Sequence, residues 1–128
     1  MKILGNWQPS SYDERTIASE LRAFCAEHAC EFTYSSDVND VRSPADHRTV
    51  GVDAFRWHQD NWGEDTPTIV WSNVLPTEIR DVGTKESIPV RPGDVVWFDN
   101  QAVEHRAPEN ARDAERWFMR IRTRNKPE

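Results

Sequence analysis

The chain has 128 residues, a formal charge of −6, and 30% of its residues are Asp, Glu, Lys or Arg. A length of this order builds one domain around one core, so residues 1–128 are expected to form a single unit. The acidic balance offers no general attraction to nucleic acid or to an anionic membrane. No apolar run is long enough for a bilayer and no basic-then-apolar leader opens the chain, so a soluble cytoplasmic protein is expected.

In chain order, residues 1–9 form an opening segment with edge-strand character. Ser11-x-x-Glu14 has capping-box spacing, and Ile17, Leu21, Phe24 and Cys25 recur at helical intervals, which predicts a helix over Tyr12–His28. Cys25 and Cys30 lie five apart and fit neither a metal-binding nor a disulfide pattern, so reduced thiols are expected. Glu31–Ser35 reads as a short strand. Asp37–His47 is polar, contains Pro44 and reads as a loop in which His47 is solvated. From Thr49 the pattern turns to strands: Val50–Trp57, Thr68–Val74, Glu86–Val90, Val95–Phe98, Ala102–Arg106 and Trp117–Thr123. Asn61–Pro67 is a turn or lid, Arg91-Pro-Gly-Asp94 a tight turn, and Pro108–Asp113 a polar turn. Of the six tryptophans, Trp57, Trp71, Trp97 and Trp117 fall inside predicted strands. One helix followed by short strands with turn chemistry between them argues for a β-sandwich or a jelly-roll barrel.

The chemistry concentrates at Phe55-Arg56-Trp57-His58-Gln59-Asp60. Strand side chains alternate between faces, so His58 and Asp60 would project together. An imidazole and a carboxylate on one face supply two thirds of the 2-His-1-carboxylate triad that holds non-haem Fe(II). The remaining ligand must come from a distant part of the chain, and His105, ending a short strand-like segment, is the best placed. Taken alone, a strand-end histidine is more often hydrogen-bonded than metal-binding. What strengthens the metal reading is the turn and strand of Arg91–Asp99 ahead of His105, and the basic strand carrying Arg116, Arg120 and Arg122 beyond it.

The ordered set His58-Gln59-Asp60, His105 and Arg116 resembles the signature of the Fe(II)/2-oxoglutarate-dependent dioxygenases: His-x-Asp, a distal His, then an Arg or Lys a short way on. Pro92-Gly93-Asp94 and Trp97-Phe98-Asp99 are also similar to that family's run into its second histidine, and the likeness spans Val50 to Arg122. The resemblance implies a mainly β double-stranded β-helix (jelly-roll) barrel with the N-terminal helix packed on it. It implies Fe(II) on His58, Asp60 and His105, with 2-oxoglutarate and O2 as co-substrates. The far carboxylate of 2-oxoglutarate would meet Arg116, with Arg120 or Arg122 as partner or replacement and Thr77 and Asn73 adding hydrogen bonds. The expected outcome is hydroxylation of a small molecule or a peptide side chain, with release of succinate and CO2. Halogenating relatives lack the carboxylate that Asp60 supplies, which disfavours that reaction. Nucleic acid and membrane are not expected partners, and a chain this short is compatible with a homodimer that lends a lid. Two alternatives are a cupin-type metalloenzyme, although cupins favour His-x-His with a nearby Glu, and a non-enzymatic jelly-roll binding module.

Overall fold

Strand periodicity sorts the apolar side chains into two cores, one on each face of a central sheet. The computed structural model describes residues 1–33, 40–60 and 67–128. Among them are the strands β1 (Lys2–Asn6), β2 (Val41–Arg42), β3 (Thr68–Ser72), β4 (Glu78–Asp81), β5 (Ser87–Ile88), β6 (Asp94–Phe98), β7 (Val103–Arg106) and β8 (Phe118–Arg122). They form two antiparallel sheets, ordered β1-β6-β3-β8-β2 and β5-β4-β7. Helices α1 (Glu14–Glu27) and α2 (Pro44–His47) and a 3-10 turn at Val52–Phe55 complete the described elements.

Every residue of β3 and β6 is buried, so both strands face apolar matter on two sides. Ile69, Trp71, Val95, Trp97, Met119 and Ile121 pack with Ile17, Ala18, Leu21 and Cys25 of α1. The alternate residues Val70, Val96 and Phe98 pack with Ile79 and Val103 of the smaller sheet, joined by Phe118, Ile88 and Val90. The layers are therefore helix, five-stranded sheet and three-stranded sheet. Because Phe118, Arg120 and Arg122 share strand parity, β8 sends them to the inter-sheet side while Met119 and Ile121 go to the helix side.

The mainly β architecture with the N-terminal helix packed on a sheet is what the structure has. The two sheets stay separate, and the described strands do not close into a barrel. Several local expectations are corrected. The helix begins after Asp13, whose carboxylate accepts from the Thr16 N–H and replaces Ser11 as the cap. Val50–Trp57 is not a strand: none of its residues is buried, Val52 is 62% exposed, and Val52–Phe55 curls into the 3-10 turn instead. Trp57 and Trp117 accordingly lie just outside strands. Asp37–His47 is not all loop, since β2 and α2 occupy its described part. β4 escaped notice because Ile79 is its only apolar residue. Other expectations match closely. β1 is an edge strand, and Arg91–Asp94 closes with an Asp94 N–H to Arg91 carbonyl bond around Gly93 at φ 85°. The Asn61–Pro67 lid falls, apart from Pro67, outside the described residues, as do Tyr34–Ser35 of the predicted 31–35 strand; Phe32 makes an isolated bridge to Thr123. Among the described residues no helix is long and apolar enough to cross a membrane.

Candidate metal centre

The centre is built on main-chain bonds. His105 lies in β7, and its N–H and carbonyl exchange bonds of 2.9 and 3.1 Å with the carbonyl and N–H of His58. Directly paired residues of an antiparallel ladder send their side chains to one side. The two imidazoles therefore sit with ring centres 4.4 Å apart. Strand parity through Val50–Trp57 is thus not what orients His58; the antiparallel bridge to His105 is. Trp57, next to His58, packs against the guanidiniums of Arg80 and Arg106, each 4.2 Å from a ring centre, which fixes the segment on the outer side.

Asp60 reaches both histidines. Its Oδ1 is 3.7 Å from His58 Nε2 and its Oδ2 is 3.3 Å from His105 Nε2. The three groups offer ligand atoms all within 4.8 Å of one another. Neighbouring ligands on an octahedral ion with bonds of about 2.1 Å lie about 3 Å apart, and the two carboxylate–imidazole distances already approach that spacing. The donor chemistry also fits. His58 Nδ1 lies 2.7 Å from the Arg56 carbonyl and so carries the proton, which leaves Nε2 as a lone-pair donor. Burial pushes the Asp60 carboxyl up, but the His105 hydrogen bond and the charges of His105, Arg120 and His58 outweigh it and hold the group below its usual range. It is thus an anion ready for a cation. His105 Nδ1 is buried with no hydrogen-bond partner among the described residues, so the second histidine lacks the outer support that the first has.

A cavity of about 90 Å³ opens at the histidines, lined by Arg42, Ala54, His58, Thr77, His105, Ala107, Phe118 and Arg120. It shares Thr77 and Ala107 with a cleft of about 710 Å³ and Arg42 and Ala54 with another of about 600 Å³. Water takes about 30 Å³ in the liquid, so a ligand larger than a few waters must extend into a neighbouring cleft.

The arginines divide sharply. Arg116 is buried just before β8; its Nε donates to the Leu75 carbonyl at 2.8 Å and its Nη2 to Thr77 Oγ1 at 3.0 Å. Its Nη1 lies 2.9 Å from His47 Nε2. No carboxylate pairs with it among the described residues, and burial, with the nearby Arg42 charge, lowers its pKa to about 10. Arg120 lines the cavity and stands 3.4 Å from Asp60. Arg122 lies at the far end of β8 opposite Thr68, outside the cavity lining. Asn73 is used elsewhere, accepting from the Trp117 N–H and donating to the Glu115 carbonyl.

Two residues escaped the sequence reading. Arg42 had no motif to mark it. His47 was expected to be solvated but is 3% exposed; Ser43-Pro44-Ala45-Asp46, a capping box with Pro at the first helical position, was the signal for the short helix that buries it. Arg116 can only donate, so His47 Nε2 accepts and the Nδ1 proton goes to the Ser43 carbonyl. Burial foremost, then the Arg116 charge, lowers the His47 pKa below its ordinary 6.5. As pH falls below that value the unfolded chain takes up a proton that the native state refuses, so stability falls with pH. His47→Gln should flatten the loss between pH 7.5 and 5.5, by no more than about 1.4 kcal/mol per pH unit, when melts of the two proteins are compared.

Comparison of the chain with protein-family models, with curated proteins and with solved structures finds no match.

Proposed function

We propose that the protein is an Fe(II)- and 2-oxoglutarate-dependent oxygenase that hydroxylates a small molecule or a side chain. The observation that carries the reading is the convergence of His58, Asp60 and His105, distant in sequence, around one point beside a cationic cavity. Under this reading the two sheets are the facing halves of a double-stranded β-helix. Two imidazole nitrogens and one carboxylate oxygen are the donor set of the facial triad, which leaves other positions of the metal open. The bound iron and 2-oxoglutarate would supply the oxidising chemistry, with O2 consumed and succinate and CO2 released.

The chain's own residues do the rest. His58 and His105 donate from Nε2, and Asp60 offsets the metal's charge. Thr77 lines the cavity and its hydroxyl accepts from the Arg116 guanidinium behind it, a cation with no carboxylate partner among the described residues and with donors beyond its three bonds. That pair suits the far carboxylate of 2-oxoglutarate, because a buried guanidinium keeps its charge and binds carboxylates through paired donors. The Arg120 charge beside Asp60 keeps the carboxylate ionised before metal arrives.

Anaerobic protein given Fe(II) and 2-oxoglutarate should develop a weak visible charge-transfer band, and in air should release succinate. His58→Ala and His105→Ala should each remove both signals. A band that persists unchanged in both variants would sink the assignment.

A further inference from the structure

Arg42 is a cation at the candidate metal cavity that makes no direct ion pair among the described residues. It sits on β2, half-buried, and lines both the cavity at His58 and His105 and the acidic cleft beyond Ala54. Its guanidinium makes no hydrogen bond and no ion pair with the described residues. It lies 5.8 Å from the centre of the Phe118 ring, over which Arg116 also lies, at 5.2 Å. Among the described residues the cavity lining includes Arg42 and Arg120 and no carboxylate, with Asp60 standing 3.4 Å from Arg120. Burial first, then repulsion from Arg120, lowers the Arg42 pKa, with Asp60 and Asp46 acting in the opposite sense. Asp60 is engaged with Arg120 and His105, and Asp46 with Ser43, so the half-buried Arg42 guanidinium keeps donors that an anion entering the cavity can take up.

We infer that Arg42 binds an anionic group of the substrate, a carboxylate or a phosphate ester, and so selects small organic anions. The side of the cavity that carries Thr77, backed by Arg116, is taken by 2-oxoglutarate in the reading above. The Arg42 side opens through Ala54 into the separate 600 Å³ cleft. A substrate body lying in that cleft, uncharged or cationic to suit Glu14, Asp46 and Asp53, would place its anion on Arg42 and its adjoining carbon beside the histidines. Stacking on Phe118 restrains the guanidinium, so little side-chain freedom is lost when the anion binds. The anion site stands on this geometry alone; only its role as a substrate contact rests on the oxygenase reading.

The test starts with metal-free protein in low-salt buffer, titrated separately with propionate and with inorganic phosphate. At least one should raise the melting temperature, by about 5 °C at ten times its dissociation constant. Arg42→Gln, which keeps most of the packing on Phe118, should weaken that anion at least tenfold, and Arg42→Lys should recover part of the loss. Comparison of the two variants also holds if the glutamine protein proves unstable, since lysine retains the charge. Propionate alone acting identifies a carboxylate, phosphate alone a phosphate ester. No shift with either anion, or an equal shift in Arg42→Gln, overturns the proposal. A second arm repeats the titration with Mn(II) and 2-oxoglutarate bound. Persistence of the anion effect supports a substrate contact, whereas its loss makes Arg42 a co-substrate contact and overturns the substrate assignment. Failure of the metal reading would appear in the charge-transfer experiment and leave the metal-free arm intact.

Discussion

Asp60→Ala should lose more than about 100-fold in divalent metal affinity, since removing even an outer-shell partner of a metal ligand costs about 10–100-fold. The carboxylate is the only anionic donor of the three and the one group that touches both histidines. Without it, two neutral imidazoles face the cation with Arg120 and Arg42 nearby, and the local field turns repulsive. Titration with Mn(II) or Co(II), followed by calorimetry or by the metal-induced rise in melting temperature, reads the effect directly. Asp60→Asn keeps the shape and removes the charge, so it should fall between the wild type and alanine. If Asp60→Ala binds metal as tightly as the wild type, the ion sits elsewhere and the triad has no role in holding it.

Arg116→Ala should destabilise the metal-free protein by about 3 kcal/mol, lowering its melting temperature by about 10 °C. Two effects oppose each other here. The native guanidinium is charged, desolvated and partnered only by neutral acceptors, and relieving that favours the variant. Against it, the Leu75 carbonyl and His47 Nε2 lose their donor at about 1–3 kcal/mol each, and a large buried side chain leaves a void. The second group should prevail for alanine. Arg116→Met fills the void and should cost less than alanine, while still losing roughly 10–150-fold in 2-oxoglutarate affinity, the worth of one charge-assisted contact. Thermal melts with and without metal and 2-oxoglutarate separate the two consequences. Methionine retaining full 2-oxoglutarate affinity would move the carboxylate anchor to another arginine.

The candidate ligands were legible because their types and order are sequence properties: a His-x-Asp pair, a later histidine and trailing arginines. The strong strands were legible for a related reason. β3 and β6 are dense in β-branched and aromatic residues, and burial on both faces is what such density reflects. The weaker elements were not. β4 shows one apolar residue among Glu78, Arg80 and Asp81, because charged side chains occupy the rest of the strand. Val50–Trp57 shows the reverse error, apolar residues that the tertiary structure leaves half-buried or exposed, so local propensity pointed to a strand that no neighbour completes. Arg42 could not be found by spacing, since it reaches the site through the pairing of β2 with β8 across a long stretch of chain. His47 was within reach through the Ser43–Asp46 box, but its partner Arg116 lies 69 positions away, a distance over which no motif carries information.

The tie between His58 and His105 runs through amide groups, as does the support of His58 by the Arg56 carbonyl. Amides are common to every residue, so neighbouring positions are free to exchange side chains while the ring separation is preserved. Evolution or an engineer could therefore rebuild the walls at Ala54 or Ala107 and change what enters without disturbing where a cation would be gripped.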